Sequence, residues 1–289
     1  MEHSSVAHPH PIRFGIVLGQ RLPWAELVRR TKIVEATGWD DFNVVDHFYG
    51  LFDVMEPTHE AYTALAALAP HTKRVRLGVM VCGNTYRNPA FLLKQAMTVD
   101  EISGGRVDFG VGAGWTRREH EAYGWEFPSA KERVDRFAEA LEIWELLQTK
   151  SRITYEGTHY QLYDAPFEPK SSQGKLPVLI GGSRPRMLRL TARYADIWNA
   201  GGLVDDAFAS NRQLDDACRE IGRDPATIAR SISPGVNFFE SPQAFERHFR
   251  THREAGFTDF RLPWPRDEAQ QDVFDEIVVD LMPGLRAGG

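Results

Sequence analysis

Alternation is the feature that most constrains this chain. Short apolar runs of strand type and longer segments with helical spacing succeed one another from Phe14 to Leu281. Phe14 to Gly19 reads as a buried strand, and Pro23 to Gly38 as a helix with Trp24, Leu27, Val28 and Thr31 on one side and a glycine where it stops. The same pair of signals recurs. Strands are expected at 42–45, 75–81, 106–111, 177–180, 196–199, 231–239 and 258–262, and helices at 61–69, 89–103, from 129 through Val134, Phe137, Leu141 and Trp144, at 184–195, 206–222, from 241 onward, and at 267–281. Asn88-Pro89 supplies a cap and a first-turn proline. Ser129 to Glu132 matches a capping box. Only residues 151–176 break the rhythm; their aromatics, glycines and prolines predict a short hairpin and loop.

Eight such units predict an α/β fold, a (β/α)8 TIM barrel with an insertion around residues 151–176. The rival is a doubly wound open sheet, which is normally announced by G-x-G-x-x-G after a strand. The nearest match, Gly110 to Trp115, has tryptophan in place of the third glycine. The chain reads as a single domain over residues 1–289, with residues 1–11 as a tail that carries no secretory signal.

A net charge of −6, from 34 basic and 40 acidic residues, argues against nucleic acid as a partner. No apolar run approaches the roughly 18–20 residues that span a bilayer, so no membrane partner is expected. Cys82 and Cys218 are the only cysteines. They form neither a disulfide framework nor a C-x-x-C pair, which points to a reducing cytoplasm. His248 and His252 stand four apart without a third ligand, so no metal is expected.

In a barrel the C-terminal ends of the strands build the active site. Those ends carry Asp46-His47, then Cys82-Gly83-Asn84, Gly112-Ala113-Gly114-Trp115, Gly181-Gly182-Ser183-Arg184, and Asn199 with Gly201. Small and polar residues at the mouth of an apolar barrel suit a planar cofactor with an anionic tail. His47 is the candidate catalytic residue, because histidine gives or takes a proton near neutrality. Adjacent strand residues face opposite ways, so Asp46 need not orient it. Gly181, Gly182 and Ser183 precede a helix N-terminus that favours a phosphate, and Arg184, Arg186 and Arg189 add charge. Gly110, Gly112 and Gly114 serve either as backbone room at a barrel corner or as a flat wall for a ring. Trp115 either stacks near substrate or plugs the barrel top. Cys82 reads as a small buried residue rather than a nucleophile.

These residues resemble a known family. Val44 to Phe48, Tyr86 to Pro89, Ser103 to Arg106, Gly110 to Trp115 with Glu119, Pro177 to Gly182 and Ala195 to Asn199 look like the bacterial luciferase-like superfamily, in the right order along the chain. The set is similar to its coenzyme F420-dependent oxidoreductases, including methylenetetrahydromethanopterin reductase-like proteins. The resemblance implies an F420 ring between the ends of strands two, three and four, with FMN as the alternative cofactor. It implies a strand-three bulge at Cys82-Gly83, often with a non-prolyl cis peptide, and a phosphate loop at Gly181 to Ser183. Asp46, Asn84, Ala113, Gly114, Arg184, Asn199 and Gly201 complete the expected cofactor site. After strand four the family's sugar-phosphate dehydrogenases carry a catalytic glutamate. Trp115 departs from that pattern and speaks against glucose-6-phosphate.

The function expected is hydride transfer between F420 and a small-molecule substrate, by a homodimer. An FMN-dependent monooxygenase and a non-catalytic ligand-binding barrel are the alternatives.

Overall fold

The computed structural model describes residues 10–50, 53–202 and 204–287. Most of the expected tail, residues 1–9, lies outside that range. Within it, the His10 ring nitrogen Nε2 is 2.9 Å from the Ala226 carbonyl and Ile12 is buried, so the chain is anchored before its first strand.

Parallel strands build the barrel: β1 (Arg13–Val17), β2 (Asp41–Val44), β3 (Arg76–Val79) with its short continuation β4 (Cys82–Gly83), and β5 (Val107–Gly112). A hairpin of β6 (Arg152–Glu156) and β7 (Gln161–Pro166) interrupts. The circuit resumes with β8 (Val178–Gly181), β9 (Ile197–Gly202), β10 (Ala229–Pro234) and β11 (Asp259–Pro263). It closes because β1 pairs with both β2 and β11 while β3 pairs with β5, Leu77 opposite Val107. With β3 and β4 counted as one interrupted strand, this is a closed eight-stranded parallel barrel. The open-sheet alternative is thereby excluded.

Helices α1 (Trp24–Ala36), α2 (Ala61–Leu68) and α3 (Pro89–Ser103) cover the first three strands. Asn88 caps α3 through Ala90 N–H at 2.9 Å, and Gly104 ends it at φ 72°. After β5 come α4 (Arg117–Tyr123), which the apolar spacing does not predict, and α5 (Ala130–Thr149), capped by Ser129. The remainder are α6 (Pro185–Tyr194), α7 (Val204–Glu220), α8 (Pro242–Glu254), α9 (Glu268–Asp280) and α10 (Met282–Ala287).

Three expected strands end before their apolar runs do; the first, Phe14 to Gly19, stops at Val17. The run 231–239 leaves the sheet at Pro234, and Phe238 and Phe239 instead pack from the following turn onto Phe245, with ring centroids 5.5 and 6.5 Å away. Proline has no N–H to continue a ladder. The run 75–81 stops at Val79, and the Met80–Val81 peptide bond is cis.

The strand N-terminal ends hold a buried charge network. Arg261 reaches Asp259 at 3.0 Å and Asp108 at 3.3 Å, while Arg13 joins Asp41 to Asp108 at 2.9 and 3.0 Å. The opposite end is left for chemistry. The insertion lies along α5: Glu139 accepts the backbone N–H groups of Thr158, His159 and Tyr160 at 2.9–3.1 Å, and the Tyr155 hydroxyl donates to Glu142 at 2.8 Å.

Candidate functional site

A cavity of about 1310 Å³ opens at the C-terminal ends of the strands. That exceeds the several hundred Å³ usual for a small ligand and leaves room for a cofactor with its substrate.

Its floor is set by Val81, which the sequence does not single out. A Cβ on Gly112 or on Gly181 would stand 3.0 Å from Val81 Cγ2, so one isopropyl group fills the space that two side chains would need. Gly110 serves a different purpose, since a Cβ there would meet the Val79 carbonyl oxygen at 2.0 Å. Gly110 thus makes room for backbone at a barrel corner, whereas Gly112 and Gly181 make room for the Val81 side chain.

His47 and Asp46 leave β2 in opposite directions. The Asp46 carboxylate accepts from Arg87 at 2.8 and 2.9 Å and from Gly83 N–H at 3.0 Å. Both its oxygens accept hydrogen bonds that hold β4 in place, while its carboxylate still lies on the cavity wall. The partner of His47 is Glu119. Its Oε1 and Oε2 lie 3.2 and 3.1 Å from His47 Nδ1. Glu119 also accepts Phe48 N–H at 2.9 Å and the Tyr86 hydroxyl. Burial pushes its carboxyl up, yet the hydrogen bonds from His47, Tyr86 and Phe48 outweigh it and hold the group below its ordinary value. The Tyr86 phenol is pushed up by burial and by Glu119, and stays a neutral donor.

Twelve of the expected site residues line the cavity: Asp46 and His47; Cys82 and Gly83; Gly112, Ala113 and Gly114; Gly181, Gly182 and Arg184; Asn199 and Gly201. Two do not. Asn84 turns back to donate to the Tyr160 hydroxyl at 3.2 Å, and Ser183 stands outside the lining. Cys82 is fully buried, and burial pushes its thiol up, so it is no nucleophile. Trp115 does not plug the barrel. It is 66% exposed and meets His47 edge-on at 5.6 Å.

The N-termini of α5 and α6 also reach the cavity wall. Among the described residues no side chain caps α6, which leaves its first N–H groups without a partner there; the Gly182 carbonyl just before the helix is held by Trp198 Nε1 at 2.9 Å. Lys131, Arg133, Arg184 and Arg186 line this side in a chain that is acidic overall. Lys131 and Arg186 share Asp135, while Arg133 donates to the carbonyls of Gly114 and Pro128 at 3.1 and 2.6 Å. The sequence does not put Glu119 or Arg133 forward as site residues, yet Glu119 pairs with His47 and Arg133 lines the cavity. The only signal for Glu119 was its place in the strand-four motif, because α4 has just seven residues.

Among the described residues no cluster of three or more His, Cys, Asp or Glu side chains could hold a metal, and no helix is long and apolar enough to cross a membrane.

A closed barrel whose cavity is floored by Val81 beside two strand glycines, with a histidine–carboxylate pair at its mouth, defines the class. Residues 5–276 match the model of the luciferase-like monooxygenase family. This chain belongs to that family. It is 33% identical to an F420-dependent glucose-6-phosphate dehydrogenase of Intrasporangium calvum, over 90% of this chain and 95% of that protein. It is 32% identical to a phthiodiolone/phenolphthiodiolone dimycocerosates ketoreductase of Mycobacterium kansasii, over 72% of this chain but only 62% of the relative. In fold it resembles an F420-dependent secondary alcohol dehydrogenase solved with an F420–acetone adduct. The TM-score is 0.84 at 18% identity, over 96% of this chain and 99% of that one.

Proposed function

We propose that this chain is an F420-dependent oxidoreductase that moves a hydride between bound deazaflavin and a small organic substrate, with His47 as the proton carrier. The observation that carries this reading is one cavity holding a cradle floored by Val81, where Gly112 and Gly181 leave no room for a Cβ, with His47 at its edge. The cradle fits a flat ring. The uncapped start of α6 and the cations beside it fit an anionic arm. Gly181, Gly182 and Arg184 would hold the phosphate, while Val81, Gly83, Gly112 and Ala113 would bound the ring. When bound, the deazaflavin supplies the carbon that gives or takes the hydride.

The chain's own part is to shape the cavity and handle the proton. His47 Nδ1 is engaged by Glu119, and Nε2 has no hydrogen-bond partner among the described residues. Nε2 is therefore the atom that takes a proton from a substrate hydroxyl during oxidation, or returns it to an oxygen during reduction.

The second reading is an FMN-dependent monooxygenase, favoured by the family's own description. Fluorescence titration of the full chain with F420 and with FMN separates the two, and a barrel without turnover would be silent in single-turnover assays with either. In single-turnover hydride transfer at saturating cofactor, His47→Asn is expected to lose about 10²–10⁴-fold in rate. A near-normal rate would remove His47 from the chemistry. The two buried, unpaired cysteines suit a reducing cytoplasm, and the assembly we favour is a homodimer of single-domain chains, which light scattering tests.

A further inference from the structure

We propose that Glu119 is a positioning residue that fixes His47 in the Nδ1–H tautomer and so makes Nε2 the working atom. This rests on the reading of His47 as proton carrier. The geometry of Glu119 is unusually restrictive. Its side chain is fully buried and receives three groups at once. The Phe48 amide, 2.9 Å from Oε1, can only donate. The Tyr86 hydroxyl lies on Oε2, and His47 Nδ1 lies within 3.2 Å of both oxygens. An ionised carboxylate only accepts, so the hydrogen between it and the imidazole must sit on Nδ1. The other charged groups nearby are engaged elsewhere: Asp46 with Arg87, Arg87 also with Glu60, and Arg118 over the Tyr49 ring at 5.7 Å. Nothing else competes for Nδ1 among the described residues.

The same geometry dictates what glutamine would do in this place. Its oxygen must remain at Oε1, because the Phe48 amide admits only an acceptor. Its NH₂ then occupies the Oε2 position, facing the Tyr86 oxygen and His47 Nδ1. The Tyr86 oxygen must now accept, and Nδ1, 3.1 Å from the NH₂ and 3.2 Å from an oxygen already taken by the Phe48 amide, is set to accept as well. Glu119→Gln therefore inverts the imidazole to the Nε2–H form, which presents a hydrogen to the cavity where a lone pair is needed. In a comparable histidine–carboxylate pair, a wrong tautomer costs about 10⁴-fold in turnover while the geometry persists.

The test uses the full chain with ¹⁵N-labelled histidine and no added ligand, with the His47 signals assigned by their loss in His47→Asn. Imidazole ¹⁵N shifts at alkaline pH distinguish a protonated from a bare ring nitrogen. The wild-type protein is expected to show Nδ1–H, Glu119→Gln to show Nε2–H, and Glu119→Asp to keep Nδ1–H. Single-turnover rates should fall about 10²–10⁴-fold in Glu119→Gln and be partly restored in Glu119→Asp. A wild-type Nε2–H tautomer, or an unchanged tautomer in Glu119→Gln, overturns the inference. An inverted tautomer with normal turnover upholds the positioning role and sinks the proton-carrier reading instead. If Glu119→Gln does not fold, the wild-type and Glu119→Asp tautomers still decide.

Discussion

Arg87 and Asp46 face each other through two parallel hydrogen bonds, 2.8 and 2.9 Å long, with Asp46 on the cavity wall and Arg87 behind it. Both side chains are almost completely buried, and Gly83 N–H completes the Asp46 carboxylate. The pair ties the end of β2 to β4 and to the loop before α3. Removing one member of such a pair leaves an uncompensated buried charge, which typically costs about 3–5 kcal/mol. Arg87→Ala is expected to lose that much in denaturant unfolding. A loss within about 1 kcal/mol would show that water replaces the guanidinium.

Gly110 and Gly112 stand two residues apart on one strand, yet their substitution should fail in different ways. Alanine at Gly110 drives a Cβ into the Val79 carbonyl, and rigid backbone has nowhere to go. Overpacking of this kind costs about 1–3 kcal/mol, so Gly110→Ala should lower the melting temperature measurably. At Gly112 the obstacle is the Val81 side chain at 3.0 Å. Gly112→Val should leave a folded protein whose affinity for the cofactor, read by fluorescence titration, falls at least about tenfold, or about 1.4 kcal/mol. Unchanged affinity would refute the cradle.

Acid should weaken the barrel from its closed end. Asp108 is fully buried, which pushes its carboxyl up, but Arg13, Arg76 and Arg261 outweigh this and hold it well below the ordinary range. A depressed folded-state pKa means stability that is fully present above the unfolded value and lost as pH falls through the folded one. The loss should begin below about pH 4. Asp259, pushed up by burial, acts in the opposite sense. Asp108→Asn should be less stable at neutral pH and show a flatter acid limb in urea unfolding. An acid limb identical to wild type would place the sensitivity elsewhere.

The hairpin should behave as scaffold. None of the residues of β6 or β7 lines the cavity, and its tip is fastened by Glu139 and by the Tyr160–Asn84 hydrogen bond. Proteolytic nicking near Gly157 to Tyr160 is expected to proceed equally with and without bound cofactor. Protection by cofactor would reveal a lid. Tyr160→Phe should cost about 0.5–1.5 kcal/mol, the net worth of one hydrogen bond.

Much of this molecule is legible from local signals. Helix starts at Asn88, Ser129 and Asp267 are written in short sequence, because a cap bonds an amide two or three residues away. The eight units and the interruption at 151–176 follow from periodicity, and closure of the barrel then places His47, Gly112, Gly181 and Arg184 around one mouth. Periodicity misjudges Phe238 and Phe239, since burial in a turn and burial in a strand look alike in sequence. What only the tertiary structure decided is who partners whom. Asp46 is next to His47 in the chain, but strand geometry turns it away to Arg87, and Glu119, 72 residues on, takes its place. Val81 joins the glycines of two other strands for the same reason: contacts across a barrel are fixed by strand register and closure, which no local pattern encodes.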